Sequence, residues 1–264
     1  MTGSRSFADP LMNDLNAALP ALLQLSHELG NPLHGLAILG EGNTSTRLAD
    51  GRFLVKASGS NLGTLDASGV VECRSAPILE LLARDAVPDA EVDACLLASR
   101  VDSAARKPSV EALFHAWLLN LPGVNFVGHT HPLAATGLLC SPQARDFAEQ
   151  RTFPDAIVCC DVESVLVPYT DPGWRLARTI ALRTEEFVAR HQRAPRVILL
   201  GNHGVITLGR TAEAVLAAML MTEKSAKIWL AAVAAGGPVF LTAADRARIA
   251  HRPDEALRQR VLKL

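Results

Sequence analysis

The hydrophobic and polar positions of this chain follow two patterns, one typical of amphipathic helices and one typical of strands. The helical pattern covers residues 11–29, 75–86, 110–121, 133–139, 174–191 and 212–235. Short apolar runs typical of strands cover residues 46–48, 53–56, 123–131, 156–160, 165–167, 196–200 and 205–208. Because strands dominate the middle of the chain and helices flank them, we predict a layered α/β fold.

Local signals indicate where several of these elements begin, end or break. Pro20 predicts an interruption of the first helix, because proline cannot donate the backbone hydrogen bond that a helix interior needs. Asp50-Gly51 lies between two strand-like runs and predicts a β-hairpin. Ser109 and Thr211 precede helical patterns and are expected to be N-cap residues.

The length and apolar content of the chain favour one folding unit. Its 264 residues are 49% hydrophobic and 20% charged, so a sizeable core can form in a single domain, whereas two domains would be cramped. We therefore expect one domain over residues 1–264. Its core would span about 11–236, and a charged C-terminal tail at 237–264 would lie across the surface.

Charge and cysteine usage exclude several classes of partner. A formal net charge of −1 gives no electrostatic basis for binding nucleic acid or an acidic membrane surface. The chain has no run of eighteen apolar residues, and residues 1–5 lack the apolar stretch of a secretory signal. The five cysteines form no CxxC pair, and their odd number argues against a disulfide framework. We expect a cytoplasmic protein with free thiols that acts on a small molecule.

His129-Thr130-His131, at the end of the apolar run 123–128, is the strongest chemical signal in the chain. Residues i and i+2 of a strand point to the same face, so the two imidazoles should converge. Glu111 stands at a predicted helix start, and His203 lies in the turn Gly201-Asn202-His203-Gly204. Three neutral imidazoles with a carboxylate nearby can hold one divalent metal and leave room for substrate. Zn²⁺ suits this donor set, and Mn²⁺ or Co²⁺ is feasible.

Glu111 can take more than one role. It could act as general base and acid, or fill the fourth metal position until substrate displaces it. A carboxylate in a first helical turn is also favourable on electrostatic grounds alone. His115 stands four positions later and is expected to pack beside the site or to orient Glu111 by a hydrogen bond. The other histidines lack a supporting context and are interpreted as structural: His27, His34, His191 and His251.

Two loops of small residues are candidates for binding an anion. Gly42-Asn43-Thr44-Ser45 and Ser58-Gly59-Ser60 offer backbone N–H groups and short hydroxyls, and Lys56 adds a positive charge. Such loops can bind phosphate or carboxylate, although small polar loops are more often simple turns. The nearby histidine set favours the interpretation as a substrate site.

These motifs resemble those of one known family. In order along the chain they are Gly42-Asn43-Thr44-Ser45, Ser58-Gly59, Pro108-Ser109-Val110-Glu111, His129-Thr130-His131 and Asn202-His203-Gly204. Over about residues 38–235 the sequence resembles the class II aldolase/adducin family. It is similar to fuculose-phosphate and rhamnulose-phosphate aldolases, and especially to the aldolase half of bifunctional rhamnulose-phosphate aldolase/alcohol dehydrogenases.

The resemblance implies a fold, an assembly and a site. The fold would be a single-domain α/β/α sandwich around a mainly antiparallel sheet, and the protein would be a homotetramer with active sites at subunit interfaces. His129, His131 and His203 would bind zinc, and Glu111 would be the ligand that becomes the acid or base. The anion pocket would be lined by Gly42, Asn43, Gly59 and Ser109.

Two positions depart from the sugar-phosphate aldolases of that family. These aldolases often have Ser-Ser-Glu where this chain has Ser109-Val110-Glu111, so one phosphate-binding hydroxyl is missing, which Lys56 or Ser60 could replace. They also use a tyrosine from a neighbouring subunit, expected near residues 156–159, whereas the only tyrosine of this chain is Tyr169. Metal-enolate chemistry depends on neither position.

Three hypotheses of function follow. The leading one is a metal-dependent lyase that cleaves or forms a carbon–carbon bond of a hydroxy-ketone or sugar phosphate by retro-aldol or aldol chemistry through a metal-bound enediolate. The second is a decarboxylase or dehydratase of the same family, in which Lys56 would hold a substrate carboxylate. The third is a non-catalytic assembly module like the adducin head domain, against which the retained histidines and Glu111 argue.

Overall fold

The computed structural model describes residues 15–261, so the predicted helix start at 11–14 lies outside the described residues. The helices are α1 (Leu15–Leu29), α2 (Ser75–Leu82), α3 (Asp89–Ser99), α4 (Ala112–Leu118), α5 (Leu133–Leu139), α6 (Ala144–Glu149), α7 (Pro154–Cys160), α8 (Trp174–His191), α9 (Ala212–Ala234), α10 (Ala243–Ala250) and α11 (Pro253–Val261). The strands are β1 (Asn43–Arg47), β2 (Arg52–Lys56), β3 (Val70–Arg74), β4 (Phe126–Thr130), β5 (Val165–Val167), β6 (Val197–Leu200) and β7 (Gly204–Gly209).

These seven strands form one sheet in the order β3-β2-β1-β4-β7-β6-β5. Neighbouring strands are antiparallel except β5 and β6, which are parallel. The register of the central strands places His129 of β4 opposite Asn43 of β1 on one side and opposite Ile206 of β7 on the other. The sheet therefore brings three distant parts of the chain, β1, β4 and β7, side by side.

Helices cover both faces of the sheet, and each face has its own apolar core. One core lies between the sheet and α2, α3, α4 and α8, and the other lies between the sheet and α1, α5, α6, α7 and α9. Alternate residues of β6 enter the two cores, with Ile198 and Leu200 in the first and Val197 and Leu199 in the second. The expected α/β/α sandwich around a mainly antiparallel sheet is confirmed.

Several local predictions are confirmed. Asp50 and Gly51 have φ angles of 57° and 69°, as a tight hairpin turn requires, and they connect β1 to β2 in an antiparallel pair. The Thr211 hydroxyl accepts a hydrogen bond from the Ala214 N–H and caps α9. The cysteines within residues 15–261 are free thiols.

Residues 156–160 form part of helix α7, so the predicted strand is wrong. Pro154 occupies the first turn, where its missing N–H has no partner to lose, and Asp155 adds a favourable charge at the helix N-terminus. Every residue from Ala156 to Cys160 is buried, because α7 packs against α9 on one side and against α10 and α11 on others. A helix that is apolar all round has no visible 3.6-residue period, and a short apolar run then looks like a strand.

Two predicted helix boundaries are also wrong. Helix α1 continues through Pro20, which lies on its exposed side near the described start of the helix, so that the ring does not disturb the packed face. Ser109 is not the N-cap of the next helix, because α4 begins only at Ala112 and Glu111 is the residue before it. The Ser109 hydroxyl instead accepts a hydrogen bond from the Glu111 N–H at 3.3 Å, in the turn that precedes α4.

The sequence patterns do not predict β3, α3, α6, α10 or α11 as separate elements. The two last helices pack against α7, where Arg258 of α11 forms a 2.6 Å ion pair with Asp155. The long apolar stretches of the chain are core segments: between Leu15 and Val261 no helix combines the length and apolar character that a membrane crossing needs.

Candidate metal centre

The three predicted histidine ligands meet at one end of the central strands. His129 lies in β4, His131 follows directly after the strand, and His203 lies in the turn between β6 and β7. One ligand nitrogen from each ring can be chosen so that all three lie within 4.8 Å of one another. The Nε2 atoms of His129 and His131 are 3.2 Å apart. The convergence expected from the i, i+2 spacing is present, and the β6–β7 turn supplies the third ring.

A backbone carbonyl orients the His129 ring. Its Nδ1 donates a hydrogen bond to the carbonyl oxygen of Val205 at 3.0 Å, because a carbonyl can only accept. The Nε2 of the neutral ring therefore carries a lone pair that faces His131 and His203. Burial lowers the pKa of His129 well below its ordinary value and lowers that of His203 to about 4, with the neighbouring His131 acting in the same direction. These unprotonated rings fit a divalent cation.

Gly204 leaves the space that the histidines occupy. A Cβ atom at this position would come within 2.6 Å of the His131 ring and within 2.6 Å of the Thr130 carbonyl oxygen. Gly42 has a similar relation to the backbone, since its Cβ would lie 2.6 Å from the His129 carbonyl oxygen, and its φ is +72°. Gly42, predicted to line an anion pocket, thus also permits close packing of the 40–42 loop against β4.

Glu111 faces the histidines from the residue before α4. Its Oε1 lies 3.5 Å from Nε2 of His129 and 3.5 Å from Nε2 of His203, while Oε2 accepts a hydrogen bond from the Asn43 side-chain amide. Burial raises the pKa of Glu111 to about 7, although Asn43 and the positive charge of Lys56 oppose this rise. The carboxylate is thus placed to act as a metal ligand or as a proton carrier.

Lys56 is a buried lysine beside this carboxylate. It is only 2% exposed, and its Nζ donates to the carbonyl oxygens of Ser60 at 2.6 Å and Gly40 at 3.2 Å. Burial lowers the pKa of Lys56, and the nearby Glu111 partly compensates. An ammonium group has three N–H donors, so one donor remains for a further acceptor.

The loop 58–60 lies beside the segment that carries Glu111. Ser58 donates its backbone N–H to the Lys107 carbonyl, and Ser109 donates its own to the Lys56 carbonyl. Ser58 and Gly59 are exposed at this edge, and Ser109 is half-buried. The structure therefore brings together the residues predicted to bind an anion.

Two charged residues at the site were missed by sequence reasoning. The Arg106 guanidinium donates to the Ser58 carbonyl at 2.9 Å and to the Ser60 hydroxyl at 3.0 Å, and so places a positive charge on the loop. Glu41 lies 3.7 Å from Nδ1 of His131, on the side of the ring away from His129. No spacing signal in the sequence identifies Arg106. Glu41 lies between Gly40 and Gly42, directly before a candidate anion-binding loop, and this position is a weak signal.

His115 packs beside the site, and its ring bonds to Ser45 instead of the Glu111 carboxylate. The His115 Nδ1 shares a 2.6 Å hydrogen bond with the Ser45 hydroxyl, and the ring stacks on Phe114, whose edge contacts His129. Of the two roles left open for His115, packing is the one the structure shows. The other histidines have partners elsewhere: Leu65 for His27, Glu28 for His34, Glu163 for His191 and Ala247 for His251.

The single tyrosine lies on a loop next to the β6–β7 turn. A Cβ atom at Gly201 would lie 3.2 Å from the Tyr169 backbone nitrogen, two residues before His203. The Tyr169 side chain is exposed and donates its hydroxyl hydrogen to Asp171 at 3.1 Å. Near residues 156–159, α7 presents no tyrosine, so the proton donor expected from the sugar-phosphate aldolases has no counterpart there.

Comparison with known proteins identifies similar sequences. Residues 21–230 match the family model for the "Class II Aldolase and Adducin N-terminal domain". YuxG of Bacillus subtilis (strain 168), named as an uncharacterized oxidoreductase, is 33% identical over 182 residues, 66% of this chain and 24% of YuxG. The 3-oxo-tetronate 4-phosphate decarboxylase of Escherichia coli (strain K12) is 31% identical over 196 residues, 74% of this chain and 78% of that enzyme. The chain therefore spans about a quarter of the first relative and most of the second.

Solved structures with the same fold were also found. The N-terminal class II aldolase domain of a conserved protein from Thermoplasma acidophilum superposes with a TM-score of 0.66 at 25% identity, covering 87% of this chain and 100% of that domain. The L-fuculose-1-phosphate aldolase from Thermus thermophilus superposes with a TM-score of 0.59 at 20% identity, covering 84% and 98% of the two chains. At that identity the second likeness concerns the fold alone.

Proposed function

Because the chain belongs to the class II aldolase and adducin family, we propose that it is a metal-dependent lyase. Its reaction would cleave or form a carbon–carbon bond next to the ketone of a hydroxy-ketone or sugar phosphate. The observation that carries this proposal is the convergence of His129, His131 and His203 on one point, with the Glu111 carboxylate 3.5 Å from two of the rings. A purely structural module would have no need to bury this set of groups together.

The three histidines would hold one divalent metal in each chain. Zn²⁺ is our first choice because the donors are neutral imidazoles, while Mn²⁺ and Co²⁺ also accept such ligands. A bound ion of this kind would polarise a substrate carbonyl and stabilise negative charge that develops beside it. The hydrogen bond from His129 to Val205 supports this role, since it leaves the Nε2 lone pair directed toward the ligand set.

Glu111 would carry the proton. Cleavage of a bond next to a ketone leaves an electron pair on the carbon beside the carbonyl, and that carbon must be protonated before the product leaves. The carboxyl group faces the histidines through Oε1, while the Asn43 amide restrains Oε2. Glu111 is thus oriented to deliver a proton to this carbon and, in the aldol direction, to remove it.

The substrate would carry an anionic group that binds at the neighbouring loop. Lys56 and Arg106 supply positive charge there, and Ser58, Gly59 and Ser109 lie at the same edge. Planar guanidinium groups and ammonium groups both bind phosphate and carboxylate oxygens well. We therefore propose a phosphorylated or carboxylated substrate.

Decarboxylation is a second candidate reaction. Loss of carbon dioxide beside a ketone produces the same kind of electron pair as retro-aldol cleavage, so the ligand set and Glu111 would keep their roles. Lys56 favours this alternative because a buried ammonium with a free donor can hold a substrate carboxylate. The similarity to an enzyme named as a 3-oxo-tetronate 4-phosphate decarboxylase supports it as well.

We further propose that the protein works as a homotetramer with its sites at subunit interfaces. Apolar side chains near the histidines support this proposal, since Leu133 is 81% exposed two residues after His131. Leu39, also exposed, belongs to the loop in which the Leu36 carbonyl accepts the His131 N–H. Exposed apolar side chains that form a patch are typical of surfaces that a partner covers.

Metal analysis followed by a substrate screen would test the proposed function. We expect about one divalent ion per chain in protein purified without chelator, and its loss in His203→Ala. Dihydroxyacetone phosphate, pyruvate and hydroxypyruvate would be tested as donors with short aldehydes. Aldehyde-dependent product would support aldol chemistry, whereas carbon dioxide release from a keto acid would support decarboxylation. Wild-type protein that binds no divalent ion would contradict the proposal.

A further inference from the structure

Helix α9 contacts the segment of chain that contains His131. The Thr130 hydroxyl contacts the Met219 sulfur at 3.2 Å, and one helical turn later Glu223 reaches the start of α5. Residues four apart lie on the same face of a helix, so Met219 and Glu223 make their contacts from the same face of α9. This face of α9 thus contacts the chain on both sides of His131.

Glu223 binds the first turn of α5 with both of its carboxylate oxygens. Oε1 accepts the Ala134 N–H at 3.2 Å, and Oε2 accepts the Ala135 N–H at 3.0 Å. These backbone groups lie in the first turn of the helix, where N–H donors lack intrahelical partners. The contact joins positions 88 and 89 residues apart in sequence, so it is a tertiary connection and not a local cap.

The Glu223 carboxylate is deeply buried, so it needs hydrogen-bond partners within the protein. Glu223 is only 4% exposed, and Lys227 lies 3.3 Å from its Oε1. A buried charge is tolerated only when hydrogen bonds and a counter-charge replace its water. Two backbone amides and one ammonium provide these partners, so the carboxylate and the start of α5 fix each other's position.

Only Pro132 and Leu133 separate this contact from His131. Proline fixes its own φ angle, so the connection has little freedom. On the other side, the His131 N–H donates to the Leu36 carbonyl at 3.0 Å. The His131 backbone is therefore held between the 31–42 loop and the start of α5.

We propose that Glu223 is a positioning residue for His131 in the metal centre. Its hydrogen bonds go to the start of α5 and not to the imidazoles or the 58–60 loop, so it acts by fixing the start of α5. This inference rests on the proposed function, because it assumes that His131 is a metal ligand. Metal–nitrogen distances vary by only about 0.2 Å in a competent site, so a small shift of α5 would weaken binding.

Cobalt titration of three proteins would test the inference. Glu223→Gln keeps the shape of the side chain but presents an N–H₂ group to one of the two amide donors. Asp161→Asn is the matched control, since it also removes a buried carboxylate, one that pairs with Arg193 outside the site. We expect Co²⁺ affinity to fall by about 10-fold or more in Glu223→Gln, as for other groups that orient metal ligands, and to remain within about 2-fold of wild type in the control.

The visible absorption of the bound Co²⁺ gives a second readout, since it reports ligand geometry independently of turnover. An altered band shape in Glu223→Gln would support the inference. Unchanged affinity and band shape in a folded Glu223→Gln would overturn it while leaving the proposed metal centre intact. A wild-type protein that takes up no Co²⁺ would overturn both.

If Glu223→Gln does not fold, amide hydrogen exchange of the wild-type protein provides the test. Coupling between two sites is reciprocal, so metal binding at His131 should increase the protection of the Ala134 and Ala135 amides. The amide of Leu208, which pairs with the Arg196 carbonyl, serves as an internal reference. Protection of the two α5 amides that does not respond to metal would overturn the inference.

Discussion

The side-chain amide of Asn43 donates a hydrogen bond to Oε2 of Glu111 across 68 positions of sequence. Asn43 is the first residue of β1 and lies opposite His129 in the sheet, so the donor is anchored at the end of an interior strand. Glu111 precedes a short helix and has no side-chain capping role there. The orientation of the carboxylate is therefore set by the sheet that also carries His129.

Glu111→Gln should nearly abolish turnover. The amide cannot carry a proton between substrate atoms, and general acid–base groups contribute about 10²- to 10⁴-fold to the rate. We expect kcat to fall by that amount while metal content stays unchanged, because three imidazoles remain. Steady-state kinetics and elemental analysis of the same preparation would measure both quantities.

Glu28→Gln is the control for this prediction, since Glu28 contacts His34 outside the site. Its turnover should match that of wild type. Normal turnover by Glu111→Gln would remove this residue from the mechanism, and loss of metal together with turnover would identify it as a structural ligand instead.

Lys56→Met should reduce the binding of anionic substrates. The substitution keeps an apolar chain of similar length in a buried position and removes the ammonium. A hydrogen bond to a charged group contributes about 1.5–3 kcal/mol, so we expect kcat/KM to fall by roughly 10- to 100-fold for phosphorylated or carboxylated donors. Uncharged donors should be affected less.

Lys107→Met provides the comparison, because Lys107 pairs with Asp93 at 2.7 Å and is half-exposed. It should leave kcat/KM unchanged. Equal losses for charged and uncharged donors in Lys56→Met would show that Lys56 supports the loop without binding the anion.

The convergence of His129 and His131 could be predicted from the sequence because their geometry is local. A strand fixes the direction of His129, and the following residues bring His131 back to the same point. His203 could be predicted only because glycines surround it in a turn. The hydrogen bonds from Ala134 and Ala135 to Glu223 have no local sequence signal, since these residues lie 89 and 88 positions from Glu223. Residue spacing predicts which side chains meet within one helix or strand, but it does not predict contacts between elements of different layers.

The same limit explains the errors in the fold. Helix α8 has one apolar face, and its predicted range of 174–191 is confirmed. Helix α7 is buried on all sides, so its apolar run carries no period that separates a helix from a strand. Hydrophobic periodicity shows which face of a helix is exposed to water, so it cannot identify a helix that has no exposed face.

His115 should make the metal-free protein less stable in acid. Burial lowers the pKa of His115 to about 3 from its ordinary value of 6.5. As pH falls from about 6.5 to about 3, the unfolded chain binds a proton at this position that the folded chain does not bind, so stability decreases with falling pH. Replacement of His115 by Gln should reduce the slope of unfolding free energy against pH by up to about 1.4 kcal/mol per pH unit.

Urea unfolding in a chelator at several pH values would measure this slope. Phe114→Leu is the matched control, because Phe114 stacks on His115 but does not titrate. It should lower stability by a similar amount at every pH and leave the slope unchanged. Identical slopes for wild type and His115→Gln would contradict the prediction.

Gly204→Ala should disable the metal centre. The added Cβ would lie 2.6 Å from the His131 ring and 2.6 Å from the Thr130 carbonyl oxygen. The ring would have to leave its place beside the other histidines, and the carbonyl belongs to the backbone of β4. We expect a stability loss of about 1–3 kcal/mol from overpacking, together with a loss of divalent metal binding. Gly137→Ala is the opposite case, because it lies within α5 and its Cβ meets no atom within 4 Å. That substitution should stabilise the protein by about 0.5–1 kcal/mol, since alanine has the higher helix propensity. Thermal unfolding and metal titration of both variants would show whether the space at residue 204 is reserved for the histidines, and full metal binding by Gly204→Ala would show that it is not.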